Sequence, residues 1–188
     1  MGLFQKAYET YKNHESLAGI VSSEYKEPLA PVGHIVAKAK IEITIDNQGK
    51  FVTAVSLGKE GVKTIIPATE ASAGKSNNPC SHPLCDKIEY ISGEDEIKFN
   101  DYVEQLMDWI ETEEHPMLRP VLIYVKSRSL IANLEEAGIK YHKEDIVRWV
   151  VIGLEKEGGL CCCNQTLFDS FTKYYLKKKQ KEKTGTCM

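Results

Sequence analysis

The segment 71–91, ASAGKSNNPCSHPLCDKIEYI, contains three short patterns that suggest different kinds of chemistry. Its GKS suggests a phosphate-binding loop, its C-x-H-x-x-C spacing suggests a metal site, and its Asn-Asn pair suggests contact with nucleic-acid bases. Each kind of chemistry requires particular residue types at a particular spacing.

The GKS does not satisfy the phosphate-binding motif G-x-x-x-x-G-K-[ST], whose first glycine lies five residues before the second. Thr69 occupies that first position. A helix should also begin near Lys75, but residues 77–79 are Asn-Asn-Pro, and a residue before proline disfavours the helical conformation. The sequence therefore argues against a nucleotide hydrolase.

The thiols and imidazole give an incomplete metal or catalytic site. Cys80, His82 and Cys85 supply three zinc ligands where structural sites usually have four, and only a distant residue such as Cys163 could complete the set. Cys80 lies near His82, but no third group is evident to orient the pair. The run Cys161–Cys163 precedes a predicted helix N-terminus, a position that lowers thiol pKa values. We expect no catalytic residue, metal or other cofactor, and a small zinc- or thiol-dependent protein is kept as an alternative.

What remains is a loop of small hydrogen-bonding residues with one flexible cation, which we call the polar loop (Ser72–His82). Asparagine and serine hydrogen-bond to base edges, and lysine binds a phosphate or enters a groove. An ordinary surface loop is the other interpretation. The candidate contact residues are Ser72, Gly74, Lys75, Ser76, Asn77, Asn78, Ser81 and His82.

The charge distribution is uneven although the net charge of the 188 residues is −3. Residues 94–114 contain nine acidic residues and one lysine, whereas residues 173–183 contain six lysines and one glutamate. Solvent-exposed helix faces would explain both runs. The lysines of the second run form a candidate basic patch: Lys173, Lys177, Lys178, Lys179, Lys181 and Lys183.

Hydrophobic periodicity predicts an α+β fold with a small antiparallel sheet. A helix over 2–14 precedes three strands that form an antiparallel meander near 34–67, with a turn at DNQG. A helical subregion over 97–138 follows, then a returning strand near 145–152 and a basic C-terminal helix. We expect one domain over 1–188.

The sequence predicts a cytoplasmic protein with reduced cysteines. No apolar run approaches the roughly 18–20 residues that span a bilayer, so we expect no membrane contact. The N-terminus lacks the features of a secretory signal.

Several segments, in order, resemble the N-terminal portion of the large subunit of the type I-C CRISPR surveillance complex (Cascade), a Csd1-type CRISPR-associated protein. They are LFQKAYETY, PLAPVGHIVAKAKIEITIDNQGKFV, IIPATEAS, GKSNNPCSHPLCDKIEYISG, VRWVVIG and FDSFTKYYLKKK followed by GTCM. The resemblance covers essentially the whole chain and implies that it is the N-terminal domain of a longer protein. The cysteines at Cys80 and Cys161–Cys163 are a departure from the family.

The resemblance implies a nucleic-acid-binding subunit rather than an enzyme. It implies recognition of the protospacer-adjacent motif in double-stranded target DNA, the start of strand separation, and recruitment of the helicase–nuclease. The implied partners are this DNA, the 5′ region of the guide RNA (crRNA), other Cascade subunits and the helicase–nuclease, with base pairing to the guide reading the target sequence.

Carried onto this chain, the resemblance makes the polar loop the candidate for motif contact. Lys75 would be the cation, and Asn77 and Asn78 would read base edges. Lys38 and Lys40 are secondary candidates for backbone contact, and the basic patch would follow phosphates. The acidic run over 94–114 should face away from nucleic acid. The alternative is a scaffolding module whose loop docks neighbouring subunits.

Overall fold

The structure is a computed structural model that describes residues 2–21, 27–74, 80–156 and 158–185, with side chains described through Lys181. Five strands form one mixed sheet, and seven α-helices lie in the described ranges. The strands are β1 (His34–Asp46), β2 (Phe51–Ser56), β3 (Val62–Pro67), β4 (Ile146–Ile152) and β5 (Gly159–Leu160). The helices are α1 (Leu3–His14), α2 (Glu70–Ala73), α3 (Ile88–Ile91), α4 (Glu96–Thr112), α5 (Leu118–Lys126), α6 (Leu130–Glu136) and α7 (Gln165–Gly185). The predicted α+β class is confirmed.

The alternation along β1 decides which side of the sheet faces the core. Ile41, Ile43 and Ile45 are at most 1% exposed, whereas Lys40 and the other intervening residues are partly exposed. Burial of each isoleucine contributes about 1.5–3 kcal/mol. The β1–β2 turn also forms as predicted, because Asp46 Oδ1 accepts hydrogen bonds from the backbone N–H groups of residues 48 and 50.

The predicted meander is wrong in its pairing, because β3 pairs with β1 and not with β2. β1 has 13 residues, about twice the length of either partner. Its first half, His34–Ala39, therefore pairs with β3, and its second half, Ile41–Ile45, pairs with β2. Both pairings are antiparallel.

The returning strand forms where it was predicted, but it is parallel to β1. The sheet is therefore mixed rather than antiparallel. A parallel pair requires a long crossover connection, and the segment that contains α3 to α6 supplies it. The short elements α2, α3 and β5 have no counterpart in the sequence prediction.

The core lies between the sheet and the helices. α4 buries an apolar stripe that includes Phe99, Leu106 and Trp109, as its periodicity predicts, and Asp95 caps its first turn. α7 packs on this helix, where the Trp109 and Phe171 rings meet edge to face with centroids 4.9 Å apart. In contrast, α1 has no buried residue. No helix in the described ranges is both long and apolar enough to cross a membrane.

Candidate nucleic-acid interface

A capping box fixes the N-terminal end of the polar loop. The Thr69 hydroxyl accepts a hydrogen bond from the Ser72 backbone N–H at 3.1 Å, and the Ser72 hydroxyl accepts one from the Thr69 N–H at 2.9 Å. These reciprocal bonds satisfy N–H groups at the start of α2. The Ser72 side chain, a predicted contact residue, is therefore already engaged within the fold.

Gly74 ends α2 with an ordinary backbone conformation, φ −87°. A Cβ at this position would lie 2.9 Å from the Glu70 carbonyl oxygen. The glycine is thus required by the packing of its own turn.

Two carboxylates hold the C-terminal end of the loop by its backbone. Asp101 Oδ2 accepts a hydrogen bond from the Ser81 N–H, and Asp86 Oδ2 accepts one from the His82 N–H, both at 2.6 Å. Asp86 is only 2% exposed, and its other oxygen accepts from the Lys87 N–H at 2.7 Å. Burial raises the pKa of Asp86 to about 7, although the N–H donors and the Lys87 ammonium act in the opposite direction.

At this end of the loop Ser81 faces the protein interior, whereas His82 is partly buried. Ser81 is fully buried, and its hydroxyl has no hydrogen-bond partner within the described ranges. The Nδ1 atom of His82 is likewise buried and without a partner there. Burial, and to a lesser degree Lys87, lowers the pKa of the His82 imidazole.

The chain beyond His82 is fixed through the carbonyl oxygen of Leu84. This oxygen accepts hydrogen bonds from the Tyr102 hydroxyl at 2.5 Å and from Trp149 Nε1 at 2.7 Å. Leu84 has the left-handed φ of +70°, which is uncommon for a leucine. Its side chain and that of Ile88 are buried in the core, so the loop continues into an immobilised segment.

The two ends of the polar loop meet at one cavity, and α7 forms part of its wall. This loop-base cavity, of about 210 Å³, is lined by Thr69, Glu70, Ala71 and Cys80 and by Gln105, Tyr175, Lys178 and Lys179. The Tyr175 hydroxyl accepts a hydrogen bond from the Glu70 N–H at 3.0 Å. The Lys179 ammonium pairs with the Glu70 carboxylate at 2.9 Å. The fold therefore brings the described ends of the predicted loop close to Lys178 and Lys179 of the basic patch.

Three lysines of the basic patch are paired with carboxylates. Besides the Lys179 pair, Lys178 bonds to Asp108 at 3.2 Å and Lys177 pairs with Glu113. Asp108 and Glu113 belong to the acidic run, so the two oppositely charged surfaces adjoin at the α4–α7 contact. The expectation that the acidic run faces away from nucleic acid stays a prediction, and the two ion pairs show that part of the run lies beside the lysines of α7.

The other basic candidates are distributed differently. Lys173 and Lys181 are exposed on α7, and Lys183 lies in the same helix, with its side chain outside the described part. Lys38 lies 3.8 Å from Glu60, and Lys40 pairs with the buried Asp145 at 3.0 Å. Both lie toward the middle of β1, whereas the loop follows the end of β3 that pairs with His34. The fold does not bring these two lysines to the loop base.

The central residues of the predicted site, Lys75, Ser76, Asn77 and Asn78, lie outside the described residues. The structure therefore describes the frame of the polar loop, which consists of α2, the segment from Cys80 and the neighbouring part of α7. Within that frame the Ser72 hydroxyl takes part in the capping box, Ser81 is buried and His82 is partly buried.

The cysteines have different environments. Burial raises the pKa of Cys85 to about 12 and also raises that of Cys80. Cys161 and Cys162 are buried, whereas the exposed Cys163 has its pKa lowered to about 7 by a hydrogen bond from Cys162. In the described part of the chain, no three His, Cys, Asp or Glu side chains are arranged to hold a metal ion.

Sequence reasoning missed the residues that build the frame. Asp86, Asp101, Tyr102, Trp149 and Tyr175 act on the loop through backbone hydrogen bonds. The available signal was the aromatic residues at core positions, because a buried tyrosine or tryptophan usually finds a hydrogen-bond partner for its polar atom. Nothing in the sequence names that partner.

Comparison with known proteins gives a family assignment. No curated protein matches the chain. The family of CRISPR-associated proteins described as Csd1 matches residues 6–188, which is nearly the whole chain. The order of sequence segments that suggested this family is thereby supported, and the chain belongs to the Csd1 family of CRISPR-associated proteins.

Proposed function

We propose that this chain is the nucleic-acid-binding part of the large subunit of a type I-C Cascade, acts in the cytoplasm, and recognises the protospacer-adjacent motif in double-stranded target DNA. It acts by binding and not by catalysis. Its partners are the target duplex, the 5′ region of the crRNA, other Cascade subunits and the helicase–nuclease that it helps recruit. Recognition of the motif starts strand separation, and base pairing with the guide then reads the sequence.

The observation that carries this proposal is the shared loop-base cavity. Residues on both sides of the serine- and asparagine-rich loop line this cavity together with Lys178 and Lys179 of α7. Lysine ammonium groups neutralise backbone phosphates, and asparagine side chains hydrogen-bond to base edges in the grooves. This proximity supports a function in which α7 binds phosphates and positions the duplex, while the loop contacts the base edges.

The ion pairs of α7 do not oppose this function. Surface pairs contribute only about 0–1 kcal/mol each, because both charges are hydrated. A phosphate that approaches the loop base therefore displaces a carboxylate from Lys178 or Lys179 at small cost. The rigid ends of the loop support the same function, since fixing them reduces the conformational entropy that is lost on binding.

The test uses the assembled complex and two loop variants, Lys75→Ala and Asn77→Ala. Each is measured on a duplex with the correct adjacent motif and on one with that motif scrambled. We expect Asn77→Ala to reduce discrimination by about 1–3 kcal/mol, roughly fivefold to 150-fold, and Lys75→Ala to weaken binding to the duplex with the correct motif.

Matched controls are available outside the loop. Lys50→Ala removes an exposed lysine from the β1–β2 turn, and Asn100→Ala removes an exposed asparagine from α4. Unchanged discrimination in both loop variants would contradict motif reading by this loop. If the loop variants instead fail to assemble with the other subunits and show no motif-specific defect, the scaffolding alternative is the correct one.

A further inference from the structure

A second cavity lies where the β2–β3 connection meets the segment before β4. It has a volume of about 390 Å³. Its charged and polar lining consists of Lys40, Lys59, Lys140, His142 and Asp145, with Ser56 beside them. Three lysines thus converge on one cavity that has a single carboxylate, and we call it the lysine pocket.

Backbone contacts build the side of the pocket that carries Lys59. The Leu57 N–H donates a hydrogen bond to the Lys40 carbonyl oxygen at 2.8 Å, which seats the connection against β1. Gly61 has a φ of +68°, and a Cβ there would lie 2.8 Å from the Ala39 carbonyl oxygen. This glycine therefore allows the chain to pass close to β1 while Lys59 stays exposed at the rim.

The one carboxylate of the pocket is already neutralised. Asp145 is 6% exposed, pairs with Lys40 at 3.0 Å and accepts a hydrogen bond from the His142 N–H at 2.8 Å. Lys59 and Lys140 are exposed, and neither has an ion-pair partner in the described ranges. Positive charge therefore remains in excess at the pocket.

We propose that the lysine pocket binds a backbone phosphate of nucleic acid. Lys59 and Lys140 neutralise the phosphate charge, and Lys40 is held in place by Asp145. A compact, flexible ammonium group suits this role because it binds phosphate as a point charge and needs no fixed geometry.

The position of the pocket relates it to the proposed function, on which this inference rests. Lys40 lies six residues along β1 from His34, the residue that pairs with the end of β3 nearest the polar loop. That separation is about 20 Å at 3.3 Å per strand residue. It corresponds to roughly six base-pair steps of about 3.4 Å each. A DNA strand whose motif contacts the polar loop therefore extends far enough to place one of its phosphates in the lysine pocket.

The test measures how salt affects the affinity of the assembled complex for nucleic acid. Variants Lys59→Ala and Lys140→Ala are compared with wild type, with the control Lys50→Ala and with the charge-retaining Lys59→Arg. Each assembled complex is measured on a correct-motif duplex and on a scrambled-motif duplex, and binding of the crRNA is measured with the same subunits before any guide RNA is bound. Unfolding midpoints confirm that the variants fold.

We expect each alanine variant to lower the slope of log affinity against log salt by about 1, since one phosphate contact contributes about 0.9. On the duplexes the decrease in slope should be equal for the correct and the scrambled motif, so discrimination between them stays unchanged. This result can therefore be distinguished from the loss of discrimination expected for the loop variants. A loss seen only with crRNA supports the pocket with RNA as the source of the phosphate. Slopes equal to those of Lys50→Ala on all three ligands would overturn the proposal.

Discussion

The carbonyl oxygen of Leu84 receives hydrogen bonds from two buried donors, the Tyr102 hydroxyl and the Trp149 indole N–H. This arrangement fixes the chain two residues after the polar loop ends. Because the carbonyl keeps one donor when the other is removed, the two contributions are separable by mutation.

Tyr102→Phe should lower the free energy of unfolding by about 1 kcal/mol, since it removes one buried hydrogen bond and few packing contacts. The measurement is urea-induced unfolding followed by fluorescence. Tyr8→Phe, on the exposed face of α1, removes the same hydroxyl without a buried partner. Equal stability of the two variants would show that the bond to Leu84 contributes nothing.

A second residue-scale prediction concerns His34, whose ring packs edge to face against Phe168 and Phe171. Burial lowers the pKa of His34 to about 4. The unfolded chain therefore binds the proton at higher pH than the folded chain. The free energy of unfolding should fall by about 2–3 kcal/mol as the pH is lowered from 7 to 4.5 through this group alone.

The His34 contribution is isolated by comparison with His34→Gln. Asp86, whose pKa is raised to about 7, acts in the opposite direction, because its stabilising proton is lost as the pH rises from 4 to 7. The Asp86 contribution is the same in the wild-type protein and in His34→Gln, so it cancels when their free energies of unfolding are subtracted. A pH dependence that is identical in the two proteins would contradict the burial of a neutral imidazole at this position.

At the scale of elements, α7 is the part on which the proposed function most depends, because it carries lysines to the base of the polar loop. Its docking includes the buried Ser170, whose hydroxyl accepts a hydrogen bond from Trp109 Nε1 at 3.0 Å and donates one to the Glu113 carbonyl at 3.1 Å. The hydroxyl thus joins α7 to α4 at two points.

Ser170→Ala should cost about 1–3 kcal/mol, since it leaves the buried indole N–H of Trp109 without an acceptor. Hydrogen exchange in α7 should accelerate together with the loss of global stability in urea. Ser16→Ala, at an exposed position, is the matched control. If Ser170→Ala exchanges and unfolds like that control, the hydrogen bond to Trp109 does not hold the helix.

Sequence periodicity predicts most elements and few of the contacts between them. The alternation of Ile41, Ile43 and Ile45 identifies β1, because one face of the strand is buried and the other is not. The same pattern carries no information about whether β3 pairs with β2 or with β1. Whether β4 runs parallel to β1 depends on the connection between these strands. The parallel pairing therefore cannot be predicted from the sequence pattern of either strand.

At the candidate site, too, the sequence predicts the segments but not the contacts between them. The composition of the polar loop and of the basic patch is visible in the sequence, but their adjacency depends on a bond between Glu70 and Tyr175, 105 residues apart. The clamps at Asp86 and Asp101 act on backbone N–H groups, which every residue type except proline offers. The role of these two aspartates can be recognised only in the folded structure, where they lie next to the backbone of the loop.

At the scale of the whole molecule, the basic helix α7 is partly neutralised by the protein's own acidic residues. Glu70 pairs with Lys179 at the loop base, so under the proposed function it would compete with nucleic acid for this lysine. Glu70→Gln should therefore raise the affinity of the assembled complex for duplex DNA by up to about fivefold, equivalent to about 1 kcal/mol. The gain should shrink at high salt.

The control for this prediction is Glu136→Gln, which removes an exposed carboxylate from α6. Both substitutions change the net charge equally, so a general electrostatic effect would appear in both. An equal gain in the two variants, or none in Glu70→Gln, would contradict competition for Lys179 at the loop base.

We propose that the polar loop recognises a short DNA motif. The direct measurement is the affinity of the wild-type complex for duplexes that differ only in that motif. We predict that the wild-type complex prefers each correct base pair by about fivefold to 150-fold at fixed salt, and that Asn77→Ala loses this preference. Equal affinity of the wild-type complex for all motifs would contradict it.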